Sequence, residues 1–551
     1  MCRAAAPLFA ALFVAACGGA PRPDPAAAPP RPAPSRGFVL VSIDTLRADR
    51  VGAWGYGRPT TPFLDRLAAR AALFERAYSP IPATLPAHLS MFTGLEPGQH
   101  DVDPPSGVLA AGIPTLPELF RAAGYRTAGH SEGGYMAGGY GFARGFEVWT
   151  DSEYSADSDV ERTFGRGAEF LRGLAPGERF FLFLHTYAVH DPYAPAPEFA
   201  AALGVGARPP GAPEPTGENL AAFNRGELAV DADTARWYSD LYDASVRQVD
   251  AALERLWGEI ERLGLADEVT LIVTADHGEE FLEHGRLAHT QIYRENLHVP
   301  LLVLSPGIDA PRRIGAPVGL VDLLPTLVDL AGLERPAVLA GTSLAPWLGR
   351  PELPLDRVVW AENDPPGGRE ESVLVRRDGE TWQLLRARSE AEPDGFWVSR
   401  RIRFDHRGAR LDFSAVAFAG PREVEVRADG RTVATVNLTG DWSDHAIPLP
   451  GDGKHAIELA TPDCRVAREA GGWDDDRCLS FKVRGPAPDR VELYALDRDP
   501  DSTTDLSERQ PARLRELTAE LARIRHQPVA PSGQADLSPA QLRQLEALGY
   551  L

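Results

Sequence analysis

The sequence predicts an α/β fold: a mostly parallel sheet flanked by helices, plus a smaller C-terminal sheet domain interrupted by an all-β insertion. Three observations carry that expectation. Near-continuous apolar runs at 38–43, 179–185 and 268–275 read as buried parallel strands, each followed by polar residues. Segments with helical spacing separate these runs, the alternation that a parallel sheet requires. After residue 355 the chain changes to short alternating runs, the pattern of antiparallel strands.

Taken in order, the run 38–43 ends at Asp44, and ligands of open α/β sheets gather at such carboxyl ends. Residues 62–74 have Phe63, Leu64, Leu67 and Leu73 at helical spacing. The stretch 80–94 is a Pro-punctuated loop that turns helical from Pro86, so Thr84 sits just before a helix N-terminus, where free N–H groups and the dipole favour an anion. Such a hydroxyl is either a helix cap, the commoner role, or a nucleophile held at an anion site. Residues 115–123 read as a helix, 126–129 as a short strand, 131–146 as a Gly- and Tyr-rich loop, and 157–174 as an amphipathic helix. A Pro-rich surface excursion follows the second apolar run at 191–219, and 231–263 is a long helix with Leu241, Val246, Val249, Leu253 and Leu256 on one side. Residues 299–304 form a fourth strand, which Pro300 demotes toward an edge or a strand start, and 321–330 is helical.

The C-terminal sheet begins at 357–361, 371–376 and 381–387. Residues 396–484 read as all-β with an Asp429-Gly430 hairpin turn, the pattern of a small β-sandwich of the carbohydrate-binding kind. Residues 491–496 resume the sheet, and helices at 511–525 and 539–548 close the chain. The expected divisions are 1–16, 17–36, 37–354, 355–395 with 486–551, and 396–485.

Composition is that of an ordinary soluble globular protein, with 25% charged and 44% hydrophobic residues, and the net charge of −21 argues against a nucleic-acid partner. Arg3 precedes an apolar run, 4–16, too short to span a bilayer but suited to a signal peptide. The small residues before Cys17 resemble a bacterial lipoprotein signal, in which Cys17 becomes the lipidated N-terminus; an ordinary signal peptide cut nearby is the alternative. The Gly-, Pro- and Ala-rich residues after it suit a tether. The expected location is therefore the cell envelope, outer membrane or periplasmic face, with the membrane reached through the lipid. In an exported chain Cys464 and Cys478 are permitted a disulfide; two free thiols are the other possibility.

Asp44, Asp276 with His277, and the Thr84 loop bring carboxylate, imidazole and hydroxyl groups to strand ends, a reasonable shell for one divalent metal. Singly, Asp44 and Asp276 read as turn caps; the conjunction is what points to chemistry.

These residues lie in motifs that resemble the sulfatase family of the alkaline phosphatase superfamily: Ser42-Ile43-Asp44-Thr45-Leu46-Arg47, Thr61-Pro62-Phe63-Leu64-Asp65, Thr84-Leu85-Pro86-Ala87-His88 with Thr93-Gly94, Thr274-Ala275-Asp276-His277-Gly278-Glu279, Glu283-His284-Gly285, and Glu492-Leu493-Tyr494 with Asp497. The resemblance covers roughly 38–390 and 490–525. It implies Asp44, Asp276, His277 and Thr84 as metal ligands for one Ca, Mg or Mn ion. It further implies Thr84 as nucleophile, His190 and His289 as catalytic and substrate-binding groups, and His88 as substrate-binding; His185 and His284 are expected in supporting roles. Two positions depart from the family. Thr84 stands where sulfatases carry the cysteine that is oxidised to formylglycine, and Thr45 stands where another metal-binding Asp is usual. A threonyl sulfate lacks the second hydroxyl through which the aldehyde hydrate expels sulfate, whereas a threonyl phosphate is hydrolysed by attack at phosphorus. The resemblance thus implies a hydrolase of sulfate or, by its threonine, of phosphate or phosphonate esters, glycan- or lipid-linked, or a phosphoryl transferase. The alternative is a silent sulfatase-fold lipoprotein that binds envelope polysaccharide through 396–485.

Overall fold

The computed structural model describes residues 35–151, 159–308 and 311–351 without a break, and most of 353–545. The expected signal peptide, Cys17, Cys464 and most of the 539–548 helix lie outside the described residues.

The central sheet has nine strands: β1 (Gly37–Ile43), β2 (Ala72–Tyr78), β3 (Arg126–Ser131), β4 (Val148–Asp151), β5 (Phe180–Thr186), β6 (Val269–Thr274), β7 (His298–Val299), β8 (Leu301–Leu304) and β9 (Arg312–Gly319). Across the sheet they run β9, β2, β7 with β8, β6, β1, β5, β3, β4. Only β7 and β8 run antiparallel to their neighbours. β1 is central and parallel to β5 on one side and β6 on the other. It is buried along its whole length, as are β5 and β6. Burial on both faces explains why all three read as unbroken apolar runs.

Among the helices that flank or brace this sheet are α1 (Pro62–Ala68), α2 (Thr84–Thr93) and α3 (Ala232–Arg262). Buried Asp250 of α3 accepts the Phe63 and Leu64 N–H groups, each at 2.9 Å, and so caps α1 from across the core. This gives the Thr61–Asp65 motif a structural role.

Two local expectations are corrected. The helix read over 62–74 ends at Ala68, and residues 72–78 form β2 instead. Pairing with β9 on one side and β7 and β8 on the other overrides the local spacing. The strand at 299–304 is interior, not an edge, and of the two roles expected for Pro300 the strand start holds: it falls in the gap between β7 and β8, directly before Leu301, and its carbonyl accepts the Thr274 hydroxyl at 2.8 Å. Strands β4 and β9 carry no sequence signal that separates them from loop.

The C-terminal sheet is antiparallel, in the order Val358–Asn363, Arg369–Arg377, Glu380–Arg388, Arg490–Ala495. Between Arg388 and Arg490 the chain forms two four-stranded antiparallel sheets, with Leu411, Val424, Val426, Ile457 and Leu459 in one core cluster. Asp429 (φ 51°) and Gly430 (φ 75°) are both left-handed, as a two-residue hairpin turn requires. Glu492 ties the C-terminal sheet to the main domain by accepting the Tyr293 hydroxyl at 3.0 Å, and it also accepts from Tyr494 on its own strand at 2.8 Å. After the helix Pro511–Arg523 the chain returns to pair Gly533–Gln534 with Gly107–Val108. Among the described residues no helix is long and apolar enough to cross a membrane.

Candidate active site

The site forms where β1, β6 and β5 end side by side. Asp44 follows β1, Asp276 and His277 follow β6, and one ligand atom from each of the three lies within 4.8 Å of the others. All three are fully buried. Asp44 accepts from His185 Nε2 at 3.1 Å through one oxygen, while its other oxygen has no partner. Asp276 accepts the Thr45 and His277 N–H groups through Oδ1, at 3.2 and 2.9 Å, and its Oδ2 is likewise without a hydrogen bond. His277 donates Nδ1–H to the Gly278 carbonyl at 3.0 Å, so Nε2 is the unprotonated nitrogen. Burial lowers the His277 pKa to about 4 and keeps the ring neutral.

These groups fit a divalent cation. Two buried carboxylate oxygens without donors and a neutral imidazole nitrogen are what a metal satisfies. Burial, and then Asp276 beside it, push the Asp44 pKa well above the carboxylate range. For Asp276 burial acts in the same direction but is outweighed by His277, His88 and His185, which lower it.

The local backbone serves this arrangement. Thr45 sits at φ 56°, a costly value for a β-branched residue, held by its N–H to Asp276 and by its carbonyl, which accepts the Tyr242 hydroxyl at 2.8 Å. Gly278 lets its loop lie on residues 295–296; a Cβ there would stand 1.9 Å from the Glu295 carbonyl oxygen.

Thr84 is the first residue of α2, earlier than the Pro86 start read from the sequence, and Ala83 before it supplies no side-chain cap. The buried Thr84 hydroxyl lies 3.4 Å from His277 Nε2. His289 packs against His277 with ring centroids 4.4 Å apart and planes tilted by 37°, and the His190 ring centroid lies 5.2 Å from that of His289. The structure therefore brings Thr84, Asp44, Asp276, His277, His289 and His190 into one continuous cluster. Burial lowers His289 to about 4. Burial also pulls on His190, but Asp191, whose Oδ1 is 2.8 Å from His190 Nδ1, drives it up to about 10.

His88, expected as a substrate-binding group, lies on α2 with Nδ1 3.5 Å from Asp276 Oδ2. It is fully buried, accepts from Ser42 Oγ at Nε2 (2.9 Å) and donates Nδ1–H to the Thr84 carbonyl (2.8 Å). His284 stacks face to face on Tyr293 with ring centroids 3.5 Å apart, and His185 Nε2 donates to Asp44. The sequence motifs assign no role to Glu279, although it closes the motif around Asp276. It is buried, accepts from His289 Nδ1 at 3.3 Å, and burial raises it to about 8. Its place at the end of that motif is the one signal the sequence offers for it.

The sulfatase family profile matches residues 36–333. The Delta 4,5-hexuronate-2-O-sulfatase of Bacteroides thetaiotaomicron is 26% identical over 350 residues, covering 56% of this chain and 71% of that protein. Among solved structures, one in complex with its substrate D-glucosamine-2-N,6-O-disulfate superposes with a TM-score of 0.59 at 16% identity, covering 90% of this chain and 97% of the other. The phosphonate monoester hydrolase of Agrobacterium radiobacter superposes with a TM-score of 0.55 at 17% identity, covering 90% and 95%.

Proposed function

The chain belongs to the sulfatase family of ester hydrolases, and from that premise we propose that it is a metal-dependent hydrolase of phosphate or phosphonate esters, with Thr84 as its nucleophile. The observation that carries this reading is the Thr84 hydroxyl, buried at the start of α2 and 3.4 Å from His277 Nε2, beside two carboxylates that each keep one oxygen without a hydrogen bond. A threonine cannot become the formylglycine on which sulfate release depends, and it is a competent acceptor of a phosphoryl or phosphonyl group. Both sulfatases and a phosphonate monoester hydrolase share this fold, which supports either chemistry.

In this reading Asp44, Asp276 and His277 hold one divalent cation (Ca, Mg or Mn), which supplies Lewis-acid stabilisation of the ester's anionic oxygens and acidifies the adjacent hydroxyl. Thr84 Oγ attacks phosphorus from the N-terminus of α2, where the helix dipole favours the bound anion. His190, held protonated by Asp191, donates to the leaving oxygen. His289, neutral in its buried place and held by Glu279, lines the substrate side of His277. His88 positions the nucleophile through the Thr84 carbonyl and does not touch substrate. The substrate is an anionic ester on an envelope glycan or lipid, met by a protein exported and lipidated at Cys17. The test is an assay of the full chain with 4-nitrophenyl sulfate, phosphate, bis-phosphate and phosphonate esters, before and after chelation, against Thr84→Ala. Phosphorus-ester turnover that needs both metal and Thr84 is expected. Sulfate turnover at an equal rate would refute the chemistry.

A further inference from the structure

Resting on that reading, we infer that Asp191 is a positioning residue that fixes the His190 ring as the proton donor to the leaving oxygen. Outside the metal-ligand candidates, the other buried aspartates described in this fold serve the scaffold. Asp250 caps α1 through two backbone N–H groups, and Asp322 accepts the Gly319 and Thr342 N–H groups and pairs with Arg357. Asp191 does neither. Its side chain is 3% exposed, its Oδ1 lies 2.8 Å from His190 Nδ1, and its Oδ2 is buried without a hydrogen bond. Among the described residues, His190 is the close partner of that carboxylate. A carboxylate buried against one imidazole is costly to keep for stability alone.

The geometry decides which nitrogen reacts. His190 Nδ1 faces both the Asp191 carboxylate and, at 3.0 Å, the Asp191 carbonyl oxygen, so Nδ1 carries a hydrogen permanently. Nε2 is then the nitrogen that exchanges its proton, in a ring seated 5.2 Å from His289. In the first half-reaction the Thr84 Oγ–phosphorus bond forms and the ester P–O bond breaks. The electron pair of that bond goes to the leaving oxygen, which takes the Nε2 proton and departs as the alcohol; the Thr84 hydroxyl proton passes to solvent. In the second half-reaction water attacks phosphorus, His190 Nε2 takes a proton from it, and the Oγ–phosphorus bond breaks, with Thr84 reprotonated from solvent.

The test compares wild type, Asp191→Asn and His190→Gln on phenyl and 4-nitrophenyl methylphosphonate. Phenol is the poorer leaving group and needs the donor; 4-nitrophenol leaves without much help. Asp191→Asn is expected to lower kcat/KM on the order of 10²-fold for the phenyl ester and less than about 5-fold for the 4-nitrophenyl ester, with KM nearly unchanged. Equal losses on both esters, or none, would overturn the inference. A second measurement is independent of turnover: with ¹⁵N-histidine labelling of the full chain, a downfield Nδ1–H resonance that vanishes in His190→Gln is expected in wild type and is expected to shift in Asp191→Asn. Its absence from wild type would also overturn the inference. Wild type inert toward both esters, with that resonance intact, would instead count against the phosphorus-ester reading.

Discussion

Replacing His88 by alanine separates a residue that holds the nucleophile from one that binds substrate. The imidazole fills a fully buried site against His185, Phe142 and Phe183, with ring centroids 4.8, 6.3 and 6.3 Å away. Removing it leaves the buried Ser42 hydroxyl without its acceptor, a cost of about 1–3 kcal/mol. The emptied volume adds about 2–4 kcal/mol, since a core closes only partly around such a deletion. The bond from Nδ1–H to the Thr84 carbonyl is lost as well, and with it the register of the first turn of α2. A displacement near 1 Å at a nucleophile costs on the order of 10²-fold in rate. The expectation for His88→Ala is therefore a loss of about 4 kcal/mol in urea unfolding, with kcat down about 10²-fold and KM within about 3-fold. The assays are urea denaturation followed by tryptophan fluorescence and steady-state kinetics on the best phosphorus ester. A variant with wild-type stability and unchanged kcat but a tenfold higher KM, about 1.4 kcal/mol of lost substrate binding, would refute this and return His88 to the substrate.

Three further outcomes are expected. Asp276→Asn leaves Oδ1 to accept its two N–H donors but removes the charge, so divalent-metal affinity measured by calorimetry should fall at least about 10²-fold while the fold survives. Burial holds His100 neutral with a pKa near 4. The unfolded ring gains its proton below about 6.5, so this group's contribution is present above that pH and is lost as pH falls toward 4. Between pH 7 and 4.5 His100→Gln should therefore lose about 2 kcal/mol less unfolding free energy than wild type. Cys17→Ser should release the protein from the membrane fraction without altering turnover; retention there would count against the lipid anchor.

The metal-ligand candidates are legible in the sequence because each follows a strand buried on both faces, and such strands announce themselves as apolar runs. Strand β2 is not legible: Ala72–Tyr78 has no period of its own, and its state is set by partners hundreds of residues away in the chain. The same limit hides the return of Gly533–Gln534 to Gly107–Val108. Side-chain roles divide similarly. Asp44, Asp276 and His277 announce their chemistry by type and place. The burial of His88 on α2, and the Tyr293 hydroxyl that makes Glu492 a structural joint, depend on contacts that no local pattern encodes.

Register explains why the two carboxylates meet. Ser42 aligns with Thr274 of β6 on one side and with His185 of β5 on the other. Asp44 and Asp276 each stand two residues beyond that Ser42–Thr274 pair, at the same level of adjacent parallel strands, and the His185 ring is at hand to bond Asp44. A slip of one residue between β1 and β6 would turn one carboxylate to the opposite face of the sheet and destroy the shell. The continuous apolar packing of β1, β5 and β6 resists such a slip, so the core that stabilises the sheet also sets the spacing of the ligands. Thr84 and His289 come from outside this frame, on α2 and on the loop after β6. They depend on second contacts, the His88–Thr84 bond and the Glu279–His289 bond, to reach the same point. Substitutions at those contacts should thus impair turnover while metal binding persists, whereas substitutions at the strand ends remove both.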